Sequence, residues 1–374
     1  MSNRERDTKI DPEFAKIPKD MTGFYIWRVE KLAVVPLPRE KYGDFYAGDA
    51  YIVFSATNSR EQGGMNIKPA KFQRTAEIHI HFWLGENCSV DERATAAYKT
   101  VELDMAFGDM PVQHREVQGF ESLRFISYFP KGIRYLKGGV ATGLKVADDG
   151  FRPRLFIIKG AKTPIAREIR EITWERMNDG DAFVLDAGER IFIYIGKNAN
   201  RKEAFEATNI AQLFKDQPGE AVVRVDDGKE IEQLTGKTLE LFEKFLPLNK
   251  KKLKAHKEFM QDEKWSEETS GKLQRLFKVT DASGKVEIKQ LKAEKPLKTD
   301  LNSSDCFILD AGKGVGGIWV WVGKGATDRE RESSMNWAQE FLKQEKYSPN
   351  TPITRVIDGA EPFEFKAFFG NEWR

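Results

Sequence analysis

Three pairs of carboxylates recur in this chain in one motif order, and paired carboxylates bind cations. An Asp opens an otherwise apolar strand in GDAYIVF (Gly48–Phe54), in GDAFVLD (Gly180–Asp186) and in SDCFILD (Ser304–Asp310). A second apolar strand ending in Gly follows each, as IHFWLG (Ile80–Gly85), IFIYIG (Ile191–Gly196) and IWVWVG (Ile318–Gly323). Seven residues beyond each Gly stands a Glu, which pairs Asp49 with Glu92, Asp181 with Glu203 and Asp305 with Glu330. An Asp at a strand mouth and a Glu in the first turn of the next helix can meet across a short gap. Both are hard oxygen donors, and calcium takes six to eight oxygens at roughly 2.3–2.6 Å. A Gly beside the Asp exposes a backbone carbonyl as a further donor. The same residues also suit a structural role, with the Asp capping a turn and the Glu favouring a helix N-terminus. Threefold repetition weights the reading toward metal.

The elements that position these pairs repeat as well. Each unit begins with a strand (FYIWRV, LFIIKG, QRLFKV), and each Glu opens a helical pattern: ERATAAYKTVELDMAF, EAFEATNIAQLF and ERESSMNWAQEFL. A β-rich segment such as VVRVDD or ITRVID closes the unit. A unit is therefore a sheet carrying at least one long helix, an α+β arrangement. At roughly 100–150 residues per domain, a chain of 374 residues holds three, placed at 21–147, 152–246 and 271–374 with a charged linker at 247–270. On the first helix, 100° per residue sets Glu92, Ala96, Leu103 and Phe107 on one side. Ala94, Ala97, Tyr98, Val101 and Met105 lie opposite, as a second apolar face available to a partner.

Composition bounds the function. With 40% hydrophobic and 32% charged residues and a net charge of +2, the chain reads as a globular protein with no nucleic acid along its length. Its start, MSNRERDTKIDPEF, lacks the apolar stretch of a secretory signal, and no run approaches the ~20 apolar residues of a membrane span, so a cytoplasmic protein is expected. Cys88 and Cys306 are too few for a disulfide framework and read as reduced small hydrophobes. His79, His81, His114 and His256 show no spacing that suggests zinc, and with no nucleophile beside a base no enzyme is expected. GKGVGG, around Gly312, Gly314 and Gly317, joins two strands and opens no helix, which makes it a hairpin turn instead of a dinucleotide loop. Two basic runs, KGIRYLKGG with Lys131, Arg134 and Lys137, and FRPRLFIIKGAK with Arg152, Arg154, Lys159 and Lys162, are interleaved with apolar residues, a composition suited to anionic lipid headgroups.

The run FYIWRVEKLAVVPLPREKYGDFYAGDAYIV, with VQHREVQGFES, KGGVATG, WERMNDGDAFVLD, SSDCFILD and FEFKAFF, resembles the gelsolin/villin family in its three-domain, severin- or fragmin-like form. The resemblance covers nearly the whole chain. It implies three domains, each a five-stranded mixed sheet between a long and a short helix, with one calcium ion per domain. Carried over by position, the first calcium site is the Gly48 carbonyl, Asp49, Glu92 and the Val140 carbonyl. The second is the Gly180 carbonyl, Asp181, Glu203 and Asp262, and the third is the Ser304 carbonyl, Asp305 and Glu330. A further ion, shared with actin, would use Asp104 and the carbonyls of Asp109 and Pro111. Actin would meet Tyr98, Val101, Asp104 and Leu144 on the first domain and Lys162 on the second. The resemblance also implies phosphoinositide binding by the two basic runs. The expected protein is a cytoplasmic, cytoskeletal monomer that severs actin filaments and caps barbed ends under calcium control. The alternatives are capping without severing, or a calcium- and phosphoinositide-binding scaffold.

Overall fold

The computed structural model describes residues 10–58, 64–74, 76–130, 132–139, 153–160, 164–169, 171–214, 221–255, 274–280, 286–292, 296–312 and 317–370. Three times over, the chain forms five strands and two helices in the same order. The first repeat has β1 (Gly23–Glu30), β2 (Ala33–Pro36), β3 (Ala50–Thr57), β4 (Glu77–Leu84) and β5 (Val112–Val117), with α1 (Val90–Ala106) and α2 (Leu123–Ser127). The second has β6 (Arg154–Lys159), β7 (Ile165–Ile169), β8 (Ala182–Asp186), β9 (Arg190–Ile195) and β10 (Ala221–Asp226), with α3 (Arg201–Phe214) and α4 (Gly236–Phe245). The third has β11 (Arg275–Thr280), β12 (Glu287–Lys292), β13 (Cys306–Asp310), β14 (Ile318–Val322) and β15 (Ile353–Ile357), with α5 (Asp328–Gln344) and α6 (Phe363–Ala367).

Within each repeat the first strand pairs antiparallel with the second and third, the third with the fourth, and the fourth runs parallel to the fifth. The parallel step needs a crossover, and the long helix supplies it. The central strands read as unbroken apolar runs because helices cover both faces. All eight residues of β3 are buried. Leu103 and Phe107 of α1 pack on Ile52, Phe54 and Ile80, and the corresponding side chains of α3 are Ala207, Ile210, Ala211 and Phe214. Trp337, Phe341 and Leu342 of α5 do the same in the third repeat. These are the five-stranded mixed sheets, each with a long and a short helix, that the resemblance implied.

The chain divides into two compact units, one drawn from Met1–Phe125, Lys137–Lys145 and Ser266–Arg374, the other from Ile126–Leu136 and Val146–Trp265. In the first unit the sheets of repeats one and three are continuous. Strand β5 pairs antiparallel with β15 (Ile353↔Arg115, Thr354↔His114, Arg355↔Gln113), giving the ten-strand order β12-β11-β13-β14-β15-β5-β4-β3-β1-β2. The other unit holds a five-stranded sheet, β10-β9-β8-β6-β7. Residues at the start of the expected linker dock on this second sheet's helical layer. Trp174 donates to the Pro247 carbonyl at 2.8 Å, Leu248 and Leu253 join the core, and Lys251 bridges Asp227 and Glu230 at 2.5 Å each.

Two side-chain devices recur. The aromatic residue of each fourth strand donates to a Glu just past the fifth: Trp83 to Glu121 at 3.0 Å, Tyr194 to Glu230 at 2.9 Å and Trp321 to Glu361 at 2.9 Å. A buried indole or phenol keeps its polar tip satisfied this way while its ring fills the core. In repeats two and three, an Arg at the head of the first strand pairs with the last Asp of the opening motif. Arg154 meets Asp186 at 2.6 Å and Arg275 meets Asp310 at 2.5 Å. The first repeat has Phe54 at this position and builds apolar core there instead.

Candidate metal and partner sites

A glycine decides the geometry of each carboxylate pair. The N–H of the Gly ending the fourth strand donates to the backbone carbonyl of the motif Asp, with Gly85 to Asp49, Gly196 to Asp181 and Gly323 to Asp305 all at 3.0 Å. A Cβ on any of the three would collide with backbone atoms of the Asp loop, so only Gly lets the loop lie this close. The Asp is thereby fixed beside the helix that starts a few residues on. Glu92 and Glu330 occupy the third helical position of full capping boxes with Ser89 and Thr327. Glu203 accepts from the Asn200 and Gly160 N–H groups, each at 3.0 Å.

The convergence registers on two thiols. Burial, with the charges of Glu92 and Asp49 adding to it, raises the pKa of Cys88, while Arg93 lowers it. Cys306 is pushed up to about 12, chiefly by burial and then by Glu330. Both cysteines are buried and protonated, as their reading as small hydrophobes required.

Each Asp has a partner already. Arg28 lies 2.5 Å from Asp49, which is fully buried, and Lys278 lies 2.8 Å from the partly exposed Asp305. Asn178 donates to Asp181 at 2.8 Å and takes the Gly180 N–H at 2.8 Å. Glycines crowd the first site further, since a Cβ on Gly139 would stand 2.5 Å from Asp49 Oδ1 and Gly48 donates to the Gly138 carbonyl at 2.8 Å. Buried carboxylates of this kind, backed by closely packed carbonyls, suit a hard cation. Val140 and Asp262 lie outside the described residues. Gly180 is buried and Ser304 exposed.

The residues expected to face actin divide. Tyr98 is exposed by 62%, and Val101 and Met105 are half-buried. Asp104 is not outward-facing here but buried, because the third repeat covers it. Its Oδ2 accepts from Arg355 at 2.9 Å and from Gln113 at 2.5 Å, and its Oδ1 is buried with no hydrogen-bond partner among the described residues. Burial raises the Asp104 carboxyl to about 6, with Arg355 opposing that shift. The sign follows: its contribution is fullest below the ordinary carboxylate value and is lost as pH rises through about 6. Asp109 takes φ 56° and lies 3.7 Å from Arg331, and Pro111 is buried. Leu144 and Lys162 lie outside the described residues.

Of the two basic runs, Lys131, Arg152 and Lys162 are outside the described residues. Lys137 is exposed, and Arg134 and Lys159 are half-buried. Arg154 is engaged internally, paired with Asp186 and lying 4.7 Å over the Phe214 ring, so its guanidinium is committed to the fold.

Sequence reasoning missed one cluster. His81 and His114 stand opposite each other in the parallel β4–β5 pair, and His79 and Glu116 share their face by strand alternation. The histidines that lacked zinc-like spacing along the chain therefore converge in space with a carboxylate. The available signal was His-x-His in one strand and His-x-Glu in the other. His256 lies outside the described residues.

These features define a threefold α+β repeat protein with a strand-mouth Asp and a helix-opening Glu in each repeat. The gelsolin repeat family model matches residues 31–126, 165–235 and 288–366. An actin depolymerising venom protein, gelsolin 1, of Platymeris rhadamanthus is 36% identical over 352 residues, covering 93% of this chain and 88% of that protein. Gelsolin of Drosophila melanogaster is 37% identical over 370 residues, and cytoplasmic gelsolin of Homarus americanus is 37% identical over 358. These cover 98% and 94% of this chain, which spans 44% of the length of each. The chain belongs to the gelsolin family. Gelsolin-family proteins are non-enzymatic, in keeping with a sequence that sets no nucleophile beside a base.

The Asp104–Arg355 pair yields a direct test. Breaking a buried pair from one side leaves an uncompensated charge and costs about 3–5 kcal/mol, while replacing both partners with apolar residues of similar volume is often neutral. Arg355→Met alone should lower the thermal midpoint of the full chain, and Asp104→Leu with Arg355→Met should recover most of that loss. Equal loss in single and double variants would show that the pair is not coupled.

Proposed function

We propose that this chain is a cytoplasmic actin-binding protein that severs filaments and caps their barbed ends, activated by calcium and restrained by phosphoinositides. The observation that carries the reading is Arg355 seated on Asp104. The helix bearing Tyr98, Val101 and Asp104, the face that would meet actin, is held by the third repeat across the β5–β15 seam. A relative covered over 88% of its length is named for actin depolymerisation, which supports actin as the target.

In this account the closed first unit is the inactive form. Calcium, bound by Asp49 with Glu92, Asp181 with Glu203, Asp305 with Glu330 and the carbonyls of Gly48, Gly180 and Ser304, would supply the positive charge that Arg28 and Lys278 now provide in repeats one and three. Arg28 leaving Asp49 alters the contacts of β1, and Lys278 leaving Asp305 alters those of β11, both strands of the seamed sheet. Opening the seam releases Asp104 from Arg355 and bares α1 for actin. Calcium drives this only to the extent that it binds the open form more tightly. The reading takes three domains at 21–147, 152–246 and 271–374. The second grips the filament side through Arg201, Lys202 and Phe205 of α3, all exposed, with Lys162. Phosphoinositide headgroups would meet Arg134, Lys137 and Lys159 together with Lys131 and Arg152, and Arg154 contributes little.

Two measurements test the proposal. Isothermal calorimetry should show weaker calcium binding for Glu92→Gln. For Arg28→Gln, which removes the competing cation, binding should be tighter by about tenfold, on the order of 1.4 kcal/mol. Unchanged affinity in both variants rejects the first pair as a calcium site. Single-filament fluorescence microscopy should show breaks along filament shafts in calcium and none in chelator. Halted barbed-end growth without breaks would assign capping alone, and filaments unaffected in either condition would leave only the scaffold reading.

A further inference from the structure

Among the described residues, the face of the first sheet beneath α2 holds a group of side chains that the actin reading does not use. His81 and His114 stack with ring centroids 4.2 Å apart at 11°, and Phe125 of α2 covers them, its ring 5.4 Å from that of His81. His81 Nδ1 is 2.8 Å from Glu116 Oε1. His81, His114 and Glu116 are all buried, with exposures of 0%, 5% and 1%. We propose that His81, His114 and Glu116 form a binding site for a divalent transition-metal ion, zinc by its chemistry, at the seam between the first and third repeats.

Four observations support the assignment. First, one ligand atom from each of the three residues lies within 4.8 Å of the others, so the side chains must draw together to close on one ion. Tetrahedral zinc, at roughly 2.0–2.2 Å from its nitrogen and oxygen ligands, needs donor spacings of about 3.3 Å. The His81–Glu116 contact is already inside that distance. Second, two imidazoles and one carboxylate form a ligand set that zinc uses and calcium does not. Third, the carboxylate is aimed. Ser122 donates its hydroxyl to Glu116 Oε1 and its backbone N–H to Oε2, each at 2.7 Å, which are the outer contacts that orient a ligand.

The fourth observation is a set of neighbours that fix His114. His79 Nδ1 lies 3.0 Å from His114 Nε2, and Thr354 Oγ1, reaching from β15, lies 3.3 Å from His114 Nδ1. Among the described residues His79 Nε2 is buried with no hydrogen-bond partner, and it lies 3.6 Å from Glu77, so a third imidazole stands one contact away from the cage. Burial holds all three rings below the ordinary histidine value, hence neutral, the form that ligates a metal. Ligation through His81 Nδ1 requires the tautomer with that ring's single proton on Nε2, so no net proton is released and the ion has two neutral ligands and one anion. An ion here ties β4 to β5, and through the His114–Thr354 contact it bears on the seam strand β15.

The test uses the full chain, stripped of metal, with calcium in excess to fill the carboxylate pairs, and titrated with cobalt(II). One equivalent should produce the intense visible absorption of tetrahedral cobalt, bleached by an equivalent of zinc. Zinc should also raise the thermal midpoint relative to chelator. Glu116→Gln, which keeps the shape of the side chain and removes its charge, should weaken cobalt binding at least about tenfold, and Cys88→Ser should leave the spectrum unchanged. The proposal is overturned if no such band develops in the wild type, if Glu116→Gln binds cobalt as well as wild type, or if the band is lost with Cys88→Ser. His81→Gln serves as a second ligand variant, read by the spectrum of its folded fraction. Retention of the full band there also overturns the assignment.

Discussion

A backbone hydrogen bond of 3.0 Å, from the glycine ending each fourth strand to the carbonyl of the motif Asp, is the constraint on which the rest of the molecule rests. It brings a strand-mouth loop against the start of a helix, and the charge of the Asp held there must be offset. The repeats answer that need differently. The first supplies Arg28 to a fully buried Asp49, the third supplies Lys278 to a partly exposed Asp305, and the second places the neutral amide of Asn178 on Asp181. An ion pair in the interior is held more tightly than one screened by water. Under the proposed calcium activation the three pairs would therefore differ in how strongly the ion must compete, with the first most strongly defended.

The seam between repeats one and three is a second consequence of the same architecture. Each five-stranded sheet ends on its fifth strand, and an edge strand exposes unpaired backbone groups that favour joining another edge. β5 and β15 meet over three registered pairs. Arg355 and Asp104 lock one face, and His114 and Thr354 touch on the other. So short a junction, holding a buried ion pair whose carboxyl resists ionisation, is the element on which the proposed calcium activation would act.

The sequence made the repeat legible because its signals are local: a Glu at a fixed seven residues past each strand-ending Gly, a motif Asp opening the strand before it, a helical period after each Glu, and apolar strands between. The five-stranded sheets with their helices followed from the resemblance that these motifs carried. What stayed hidden depends on long-range pairing. Nothing in ITRVID says that Arg355 will meet Asp104, 251 residues away. The histidines look unrelated until β4 and β5 are set in parallel register, when His81 falls opposite His114. Arg154 reads as a lipid-facing cation in its basic run, yet the equivalent Arg275–Asp310 pair shows that its position in the repeat is one for an internal ion pair.

The most direct test of the account is hydrogen–deuterium exchange of the full chain, in calcium and in chelator, read at peptides spanning Val112–Val117 and Ile353–Ile357. The account predicts that calcium speeds exchange of the seam amides in both strands, and that Glu92→Gln reduces the effect, while the central strand Ala50–Thr57 stays protected. Seam protection that is unchanged under calcium concentrations that saturate the protein would contradict it.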